Sequence, residues 1–205
     1  ERVLDSHRMP GANWFEGARL NLAEQVFRHH DNEPERPAIL SRSELRELRT
    51  LTWGELREQI AALAHSLREM GVGPGDRVVA YLPNLPETMV AFFAVSSLGA
   101  IWSSCSPDMG TRSVLDRFRQ IDPKVMIAVD GYRYGGKDFD RLSVVAGLRE
   151  QLPTLEQLVL LPYLNADAKP PKAALLWDDL MDHPPVPRDA FDYAYVAADH
   201  PLWIL

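Results

Sequence analysis

Four short apolar segments recur along the chain, and each interval between them has a pattern typical of a helix. The segments are RVVAYL (77–82), AIWSSC (100–105), KVMIAV (124–129) and LEQLVLL (155–161). They are spaced by roughly 22 to 32 residues, which leaves room for one crossover helix in each interval. Continuous apolar character is typical of parallel strands that are covered on both faces. The sequence therefore predicts an α/β fold in which right-handed βαβ units build a parallel sheet.

The helix before the first of these strands has distinct boundary signals. Thr52 and Glu55 have the spacing of a capping box. The apolar residues that follow at intervals of four and three are Leu56, Ile60, Leu63, Leu67 and Met70. Gly71 then supplies the left-handed residue that commonly ends such a helix. This pattern predicts an amphipathic helix from about residue 52 to residue 70.

Three later helices follow from local patterns. Asn84 is predicted to cap the helix ETMVAFFAVSSLG, which is apolar on nearly every face and should therefore be buried. Ser113 and Asp116 are predicted to cap the next helix, and residues 141–152 to form another. These helices fill the intervals between the predicted strands.

The remaining segments predict connections and short elements. A hairpin is expected between PAILS and TLTW, whereas GYRYGGKDFD (131–140) is expected to be a loop. LAEQVFRHH, near the start, is expected to be helical. The proline-rich segment 183–201 is expected to run along the surface.

The charge pattern and the apolar pattern exclude several classes of partner. The net charge is −7 and no basic block occurs, so the electrostatic footprint of a nucleic-acid-binding protein is missing. The longest apolar stretch, 89–101, contains two serines and a glycine and is too short to span a bilayer. A single cysteine, Cys105, excludes an internal disulfide and is typical of a reducing compartment. We therefore expect a cytoplasmic protein that binds neither nucleic acid nor membrane.

Both ends of the chain suggest a piece of a longer protein. The chain starts at Glu1 without a methionine, and it stops after four apolar residues, 202–205, that follow Pro201. Such a run is typical of the opening of a buried strand. We therefore expect the sheet to be incomplete at the C-terminus of this chain.

Two glycine-containing segments resemble nucleotide-binding motifs. GVGPGD (71–76) has a helix before it and a strand after it, which is the reverse of the order in a dinucleotide fingerprint, so we interpret it as a tight turn. In GYRYGGKD, Gly131, Gly136 and Lys137 match a phosphate-binding P-loop up to its last position. Asp138 stands there in place of a magnesium-binding hydroxyl, and its carboxylate would repel phosphates. This argues against a nucleoside-triphosphatase.

The same loop still offers groups that bind phosphate. Glycines let the backbone approach an anion, Arg133 offers a planar fork, and Lys137 offers a point charge. The loop also leaves the carboxyl end of a predicted parallel strand, where open α/β sheets bind their ligands. An exposed loop with ordinary surface charges is the alternative, and residue chemistry alone does not choose between the two.

The candidate nucleophiles and metal ligands have no supporting pattern. WSSCSPD carries three hydroxyls and a thiol, but no Gly-x-Ser-x-Gly elbow surrounds them, and no histidine lies near them in the sequence. The six histidines have no spacing typical of metal ligands. Cys105 is most simply a small buried side chain near the end of a strand.

Longer stretches of the chain resemble the adenylate-forming acyl-CoA synthetases. LTWGEL is followed by GVGPGDRVVAYLPNLPETMVAFFAVSSLGAIWSSCSPD, which is similar to the N-terminal part of that family. Three stretches are similar to its acetoacetyl-CoA synthetase branch in particular, namely WFEGARLNLAEQ, WSSCSPDMG and DRFRQIDPKVMIAVDGYRYGGKDFDR. The resemblance extends from about Met9 to the end. It departs at LNLAEQ, where the branch usually has LNYAEN, and at PDMG, where phenylalanine usually precedes glycine.

The resemblance implies a two-step ligase that uses ATP with Mg²⁺, acetoacetate and CoA. It implies an N-terminal segment at 1–32 and the first part of the AMP-dependent synthetase domain at 33–205. That part would be an incomplete set of α/β layers from the large N-terminal domain of such an enzyme. PLWIL would lead into a downstream loop that wraps the ATP phosphates. The catalytic residues of the family would also lie downstream, so none is expected within this chain.

The resemblance also assigns a function to the loop 131–140. In related acetyl-CoA synthetases the loop after the matching strand holds CoA, which implies CoA contacts at Arg133, Tyr134, Gly135 and Gly136. Lys137 is added to this set on its charge alone. Two alternatives stay open: another short-chain acyl-CoA synthetase, and a truncated paralogue that binds CoA or a partner without catalysing a reaction.

Overall fold

The computed structural model describes residues 3–28, 30, 32–184, 186–187 and 190–205. Its helices are α1 (Leu22–Phe27), α2 (Trp53–Glu69), α3 (Pro86–Ser97), α4 (Thr111–Arg119), α5 (Leu142–Gln151) and α6 (Trp177–Met181). Its strands are β1 (Arg19–Leu20), β2 (Pro37–Ser41), β3 (Arg49–Thr52), β4 (Arg77–Tyr81), β5 (Ile101–Cys105), β6 (Val125–Val129), β7 (Gly131–Tyr134), β8 (Lys137–Asp140), β9 (Gln157–Leu161), β10 (Leu175–Leu176) and β11 (Val196–Ala197).

A parallel sheet forms the centre of the described chain. Its strand order is β10-β9-β6-β4-β5, and β4 pairs with both β5 and β6 in parallel. The four long strands of this sheet coincide with the four apolar segments in the sequence. Because β4 lies between β5 on one side and β6 on the other, the chain reverses its direction of travel across the sheet after β5. The predicted parallel α/β fold is confirmed.

The two faces of the sheet are covered by different helices. Helices α1, α2, α3 and α6 cover the face that carries Val78, Ala80 and Ile127. Helices α4 and α5 cover the face that carries the alternate residues, such as Val79 and Met126. Residues of both sets are fully buried, which explains why the strand sequences are continuously apolar.

The boundaries of α2 confirm the prediction from its sequence. The Thr52 hydroxyl accepts a hydrogen bond from the backbone N–H of Glu55 at 3.2 Å, and the Glu55 carboxylate accepts one from the N–H of Thr52 at 2.8 Å. Gly71, just past the end of α2, has a φ of 76°. Both ends of the helix therefore have their free backbone groups partly satisfied by local residues.

Two predicted caps are wrong. Helix α3 has Leu85 at its N-cap and Pro86 in its first turn, so Asn84 does not cap it. Proline tolerates the first helical turn because it has no N–H that needs a partner there. Helix α4 starts from Gly110, and Ser113 lies within its first turn rather than before it.

The predicted hairpin between β2 and β3 is confirmed, but the segment 131–140 is not a loop. It forms a second antiparallel hairpin, in which Tyr132 lies opposite Phe139 and Arg133 opposite Asp138. The rings of Tyr132 and Phe139 stack with their centroids 5.0 Å apart. A two-glycine turn joins the strands, and glycine suits such turns because they require positive φ.

The first and last segments of the chain meet beside α3. Strand β1 pairs with β11 in an antiparallel arrangement, and Asn21 caps α1 through its side-chain oxygen.

The predicted helix LAEQVFRHH is confirmed for its first part, Leu22–Phe27, whereas His29 lies outside the described residues. Residues 183–201 run along the surface where they are described, as predicted; parts of this segment lie outside the described residues.

The apolar residues 202–205 pair next to β5 but are not buried. The N–H of Trp102 donates to the carbonyl of Leu202 at 3.0 Å, and the N–H of Ile204 donates to the carbonyl of Trp102 at 2.8 Å. This makes a parallel bridge at the edge of the described sheet. Trp203 packs against Phe92, yet 46% of its surface is exposed because it lies outside the edge strand. These residues therefore pair beside β5 like the start of a strand, as predicted, while the described structure leaves Trp203 partly exposed.

Candidate functional site

The hairpin β7–β8 leaves the carboxyl end of β6, at the edge where parallel sheets bind ligands. Asp130 joins the two elements and is only 2% exposed. Its carboxylate accepts hydrogen bonds from the backbone N–H groups of Tyr163, Leu164 and Asn165, at 2.6, 2.9 and 2.8 Å. Asp130 therefore fixes the loop after β9 against the base of the hairpin.

Arg141 holds the other side of the hairpin base. Its backbone N–H donates to the carbonyl of Asp130 at 2.7 Å, and its Nε donates to the carbonyl of Pro107 at 2.7 Å. A terminal nitrogen donates to the Tyr132 hydroxyl at 3.2 Å. The guanidinium also lies over the ring of Tyr132, 5.1 Å from its centroid. Arg141 thus connects the hairpin to the loop after β5.

Gly131 occupies a position at which a side chain would not fit. A Cβ atom there would lie 2.6 Å from the carbonyl oxygen of Phe139 and 2.6 Å from a methyl group of Leu164. The backbone of β7 can therefore approach β8 this closely only because residue 131 is glycine.

The tip of the hairpin binds a carboxylate. Gly135 and Gly136 have φ angles of 60° and 71°, and their N–H groups both donate to one carboxylate. The N–H of Gly135 donates to Oε1 of Glu44 at 2.8 Å, and the N–H of Gly136 donates to Oε2 at 2.7 Å. This pair of donors is therefore an anion-binding position that an internal carboxylate occupies.

Arg133 forms an ion pair next to this turn. Its Nε and one terminal nitrogen donate to the two carboxylate oxygens of Asp138, the second at 3.1 Å. The hydrogen bond from Arg133 lowers the pKa of Asp138, and the same contact raises the pKa of Arg133. Asp138 thus neutralises the charge of Arg133 and does not serve as the last residue of a P-loop. A P-loop also requires a helix at this point of the chain, where the structure has strand β8.

The five residues predicted to bind CoA all lie on one exposed turn. Tyr134 is 74% exposed, and Lys137 extends into solvent beside it. The structure thus places Arg133, Tyr134, Gly135, Gly136 and Lys137 together, although their role in binding CoA stays a prediction. The sequence reasoning did not find Glu44, Asp130 or Arg141, which hold the turn and its base in place.

A polar cleft lies at the same edge of the sheet. It has a volume of about 510 Å³ and is lined by residues that include Arg46, Glu87, Leu161 and Trp177. Arg46 pairs with Glu87 at 2.6 Å and lies over the ring of Tyr163, 4.8 Å from its centroid. The segment that carries Arg46 also carries Glu44, so it contacts both the cleft and the hairpin.

The buried polar groups at the ends of β4 and β5 are structural. The Tyr81 hydroxyl donates to the carbonyl of Pro107 at 2.8 Å, and burial raises its pKa. Burial likewise raises the pKa of the Cys105 thiol, which favours the unreactive protonated form. The interpretation of Cys105 as a packing residue agrees with its 4% exposure.

Within the described part of the chain, no group of three His, Cys, Asp or Glu side chains is placed to hold a metal ion. None of the helices in that part is both long enough and apolar enough to cross a bilayer. The hairpin turn and the polar cleft beside it are the candidate sites described at this edge of the sheet.

The chain is similar to proteins of one enzyme family. The family model described as AMP-binding enzyme matches residues 26–197. Acetoacetyl-CoA synthetase of Rattus norvegicus is 40% identical over 198 residues, which cover 94% of this chain and 29% of that protein. Acetoacetyl-coenzyme A synthetase of Rhizobium meliloti (strain 1021) is 45% identical over 168 residues, covering 81% of this chain and 25% of that protein.

A solved structure shows the same fold. Acetoacetyl-CoA synthetase from Streptomyces lividans matches all of this chain with a TM-score of 0.93 and 48% identity, and the match covers 31% of that protein. The chain thus spans less than a third of the length of each of these three relatives. Both the sequence matches and the fold show that the chain belongs to the family of AMP-binding enzymes.

Proposed function

We propose that this chain is the N-terminal part of an ATP-dependent acetoacetate–CoA ligase. In the first step the carboxylate of acetoacetate attacks the α-phosphorus of ATP, which releases pyrophosphate and forms acetoacetyl-AMP. In the second step the thiol of CoA attacks the acyl carbon, which releases AMP and forms acetoacetyl-CoA. ATP carries Mg²⁺ in this reaction. The similarity to acetoacetyl-CoA synthetases of three organisms supports the assignment.

Within this reaction we assign the hairpin turn 133–137 to the phosphates of CoA. The observation that carries this assignment is the pair of glycine N–H groups that hold a carboxylate at the tip of the hairpin. Arg133 and Lys137 flank that pair with positive charge, and Tyr134 offers an exposed ring. Backbone donors combined with a guanidinium are a common solution for binding phosphate. None of the chain's residues is assigned a part in adenylation.

We further propose a division of the chain and a location of the complete enzyme in the cell. Residues 1–32 form an N-terminal segment, and residues 33–205 form the first part of the AMP-binding domain. The complete enzyme works in the cytoplasm on small molecules.

The two half-reactions can be measured separately in the complete protein. We expect exchange of labelled pyrophosphate into ATP that depends on acetoacetate, and formation of acetoacetyl-CoA that depends in addition on CoA. Exchange with acetate or propionate, but not with acetoacetate, would instead indicate another short-chain acyl-CoA synthetase. CoA binding without any exchange would indicate a binding module and would contradict the ligase assignment.

A further inference from the structure

The anion-binding position at the tip of the hairpin is filled by the protein itself. Each carboxylate oxygen of Glu44 accepts one hydrogen bond, from Gly135 and from Gly136, at 2.8 and 2.7 Å. Both donors are backbone groups of adjacent residues, so they cannot turn away to serve a different acceptor. An anion that binds these two N–H groups must therefore displace Glu44.

The segment that carries Glu44 is held in place on both sides of that residue. The Ser43 hydroxyl accepts hydrogen bonds from the N–H groups of Leu45 and Arg46, at 3.2 and 3.1 Å, and the N–H of Ser43 donates to the carbonyl of Arg46. Arg46 is anchored in turn by Glu87. Glu44 thus extends from a short closed turn towards the hairpin, although 91 residues separate it from Gly135 along the chain.

The carboxylate of Asp138 binds a second group of the same hairpin. Asp138 holds Arg133 through two hydrogen bonds, so the guanidinium also has an internal anionic partner. Lys137 is exposed, and the described structure gives its ammonium group no ion pair. The donors that we assign to CoA are therefore held by internal carboxylates, with Lys137 left to meet an incoming phosphate.

We propose that Glu44 is an intramolecular competitor that occupies the phosphate position of the hairpin until CoA displaces it. This inference rests on the assignment of the hairpin to CoA. A single small anion gains only the two glycine donors and loses the Glu44 contact, so it gains little. CoA carries several phosphate charges and reaches Lys137 and Arg133 as well, so it can compensate for the displacement. Glu44 thereby makes the turn selective for a large polyanionic ligand over free phosphate.

The test replaces Glu44 by Gln in the complete protein and measures the Kd of CoA by titration calorimetry. Gln preserves the length of the side chain and one acceptor oxygen, but it removes the charge that competes with phosphate. Because the contact is exposed to solvent, we expect CoA to bind about threefold to fivefold more tightly. Inorganic phosphate, titrated in the same way, should gain affinity by at least the same factor.

Glu47→Gln is the matched control. Glu47 lies three residues away on the same segment, is exposed, and has no polar contact in the described structure. The substitution Glu47→Gln therefore removes the same charge without releasing the glycine N–H groups. It should change the Kd of CoA by less than about 1.5-fold, because exposed charges are screened.

Three results would overturn the proposal. Equal effects of the two substitutions would mean that only net charge matters. Weaker binding of CoA in Glu44→Gln would mean that Glu44 supports the turn instead of competing for it. An unchanged affinity would mean that CoA does not use the glycine donors.

A parallel titration of the Arg133→Ala variant with CoA distinguishes a failure of the CoA assignment from a failure of the competition by Glu44. If that substitution leaves CoA affinity unchanged, the assignment of the hairpin to CoA fails. If it weakens CoA while Glu44→Gln has no effect, only the competition by Glu44 fails.

Discussion

Replacement of Asp130 by Asn should loosen the loop after β9 and the hairpin base together. The carboxylate of Asp130 is buried and accepts three backbone hydrogen bonds, two on one oxygen and one on the other. Asn has nearly the same shape but presents an NH₂ group in place of one oxygen. Whichever way the amide turns, at least one backbone N–H then faces another donor, and the remaining hydrogen bonds lose their charged acceptor.

The size of the effect follows from the number and kind of these bonds. A hydrogen bond to a charged group contributes roughly 1.5–3 kcal/mol, and a donor left without a partner adds a desolvation cost of about 1–3 kcal/mol. Allowing for relaxation of the loop, we expect the free energy of local opening to fall by about 3 kcal/mol. Since about 1.4 kcal/mol corresponds to a factor of ten, hydrogen exchange in the loop should be about 100-fold faster.

Hydrogen exchange read by mass spectrometry on a peptide spanning residues 161–168 measures this directly. The informative amides are those of Tyr163, Leu164 and Asn165, because they donate to Asp130. Asp167→Asn is the control, since Asp167 is exposed on the same loop and its substitution removes the same charge. Exchange that is less than about threefold faster in Asp130→Asn, or equally fast in the control, would refute this account of the loop.

Two further predictions concern the hairpin. Because the hydrogen bond from Arg133 lowers the pKa of Asp138, the pair should contribute to the hairpin above the ordinary pKa of aspartate and be lost as the pH falls through the lowered folded value. Carbon-13 titration of Asp138 should show this pKa return towards its ordinary value in Arg133→Ala, and no change on that substitution would contradict the pairing. Gly131→Ala should destabilise the protein by about 1–3 kcal/mol, seen as a lower Tm, because the new Cβ meets the backbone of β8. Gly147→Ala, where a Cβ has open space inside α5, should instead leave Tm unchanged or raise it, and equal losses in both variants would refute the steric argument.

The central sheet was predictable from the sequence because burial on both faces leaves a simple signal. Strands such as β4 and β6 must be apolar at every position when helices cover both faces, and this produces the continuous runs seen in the sequence. The capping box of α2 was predictable for a similar reason, since both partners lie within four residues of each other. The caps of α3 and α4 were not, because neither helix uses a side-chain cap.

The candidate site was predictable in position but not in structure. Two adjacent glycines between segments of alternating residues favour a hairpin, so the sequence 131–140 contains a signal for the hairpin that the prediction of a loop did not use. With the hairpin assigned, the opposition of Arg133 and Asp138 follows from strand register. The contact of Glu44 with the turn could not be predicted, because it depends on how a segment 91 residues away packs against the sheet. The burial of Asp130 could not be predicted either, because no feature of the sequence distinguishes it from an exposed aspartate.

The effect of Arg133→Ala on the two half-reactions of the complete enzyme tests the central claim most directly. Loss of one charge-assisted contact to phosphate should raise KM for CoA by about tenfold while acetoacetate-dependent pyrophosphate exchange stays within about twofold of its normal rate. Arg119→Ala, at the far end of α4 from the hairpin, removes the same charge and should change neither quantity. An unchanged KM for CoA, or an equal loss in pyrophosphate exchange, would contradict the assignment of the hairpin to CoA.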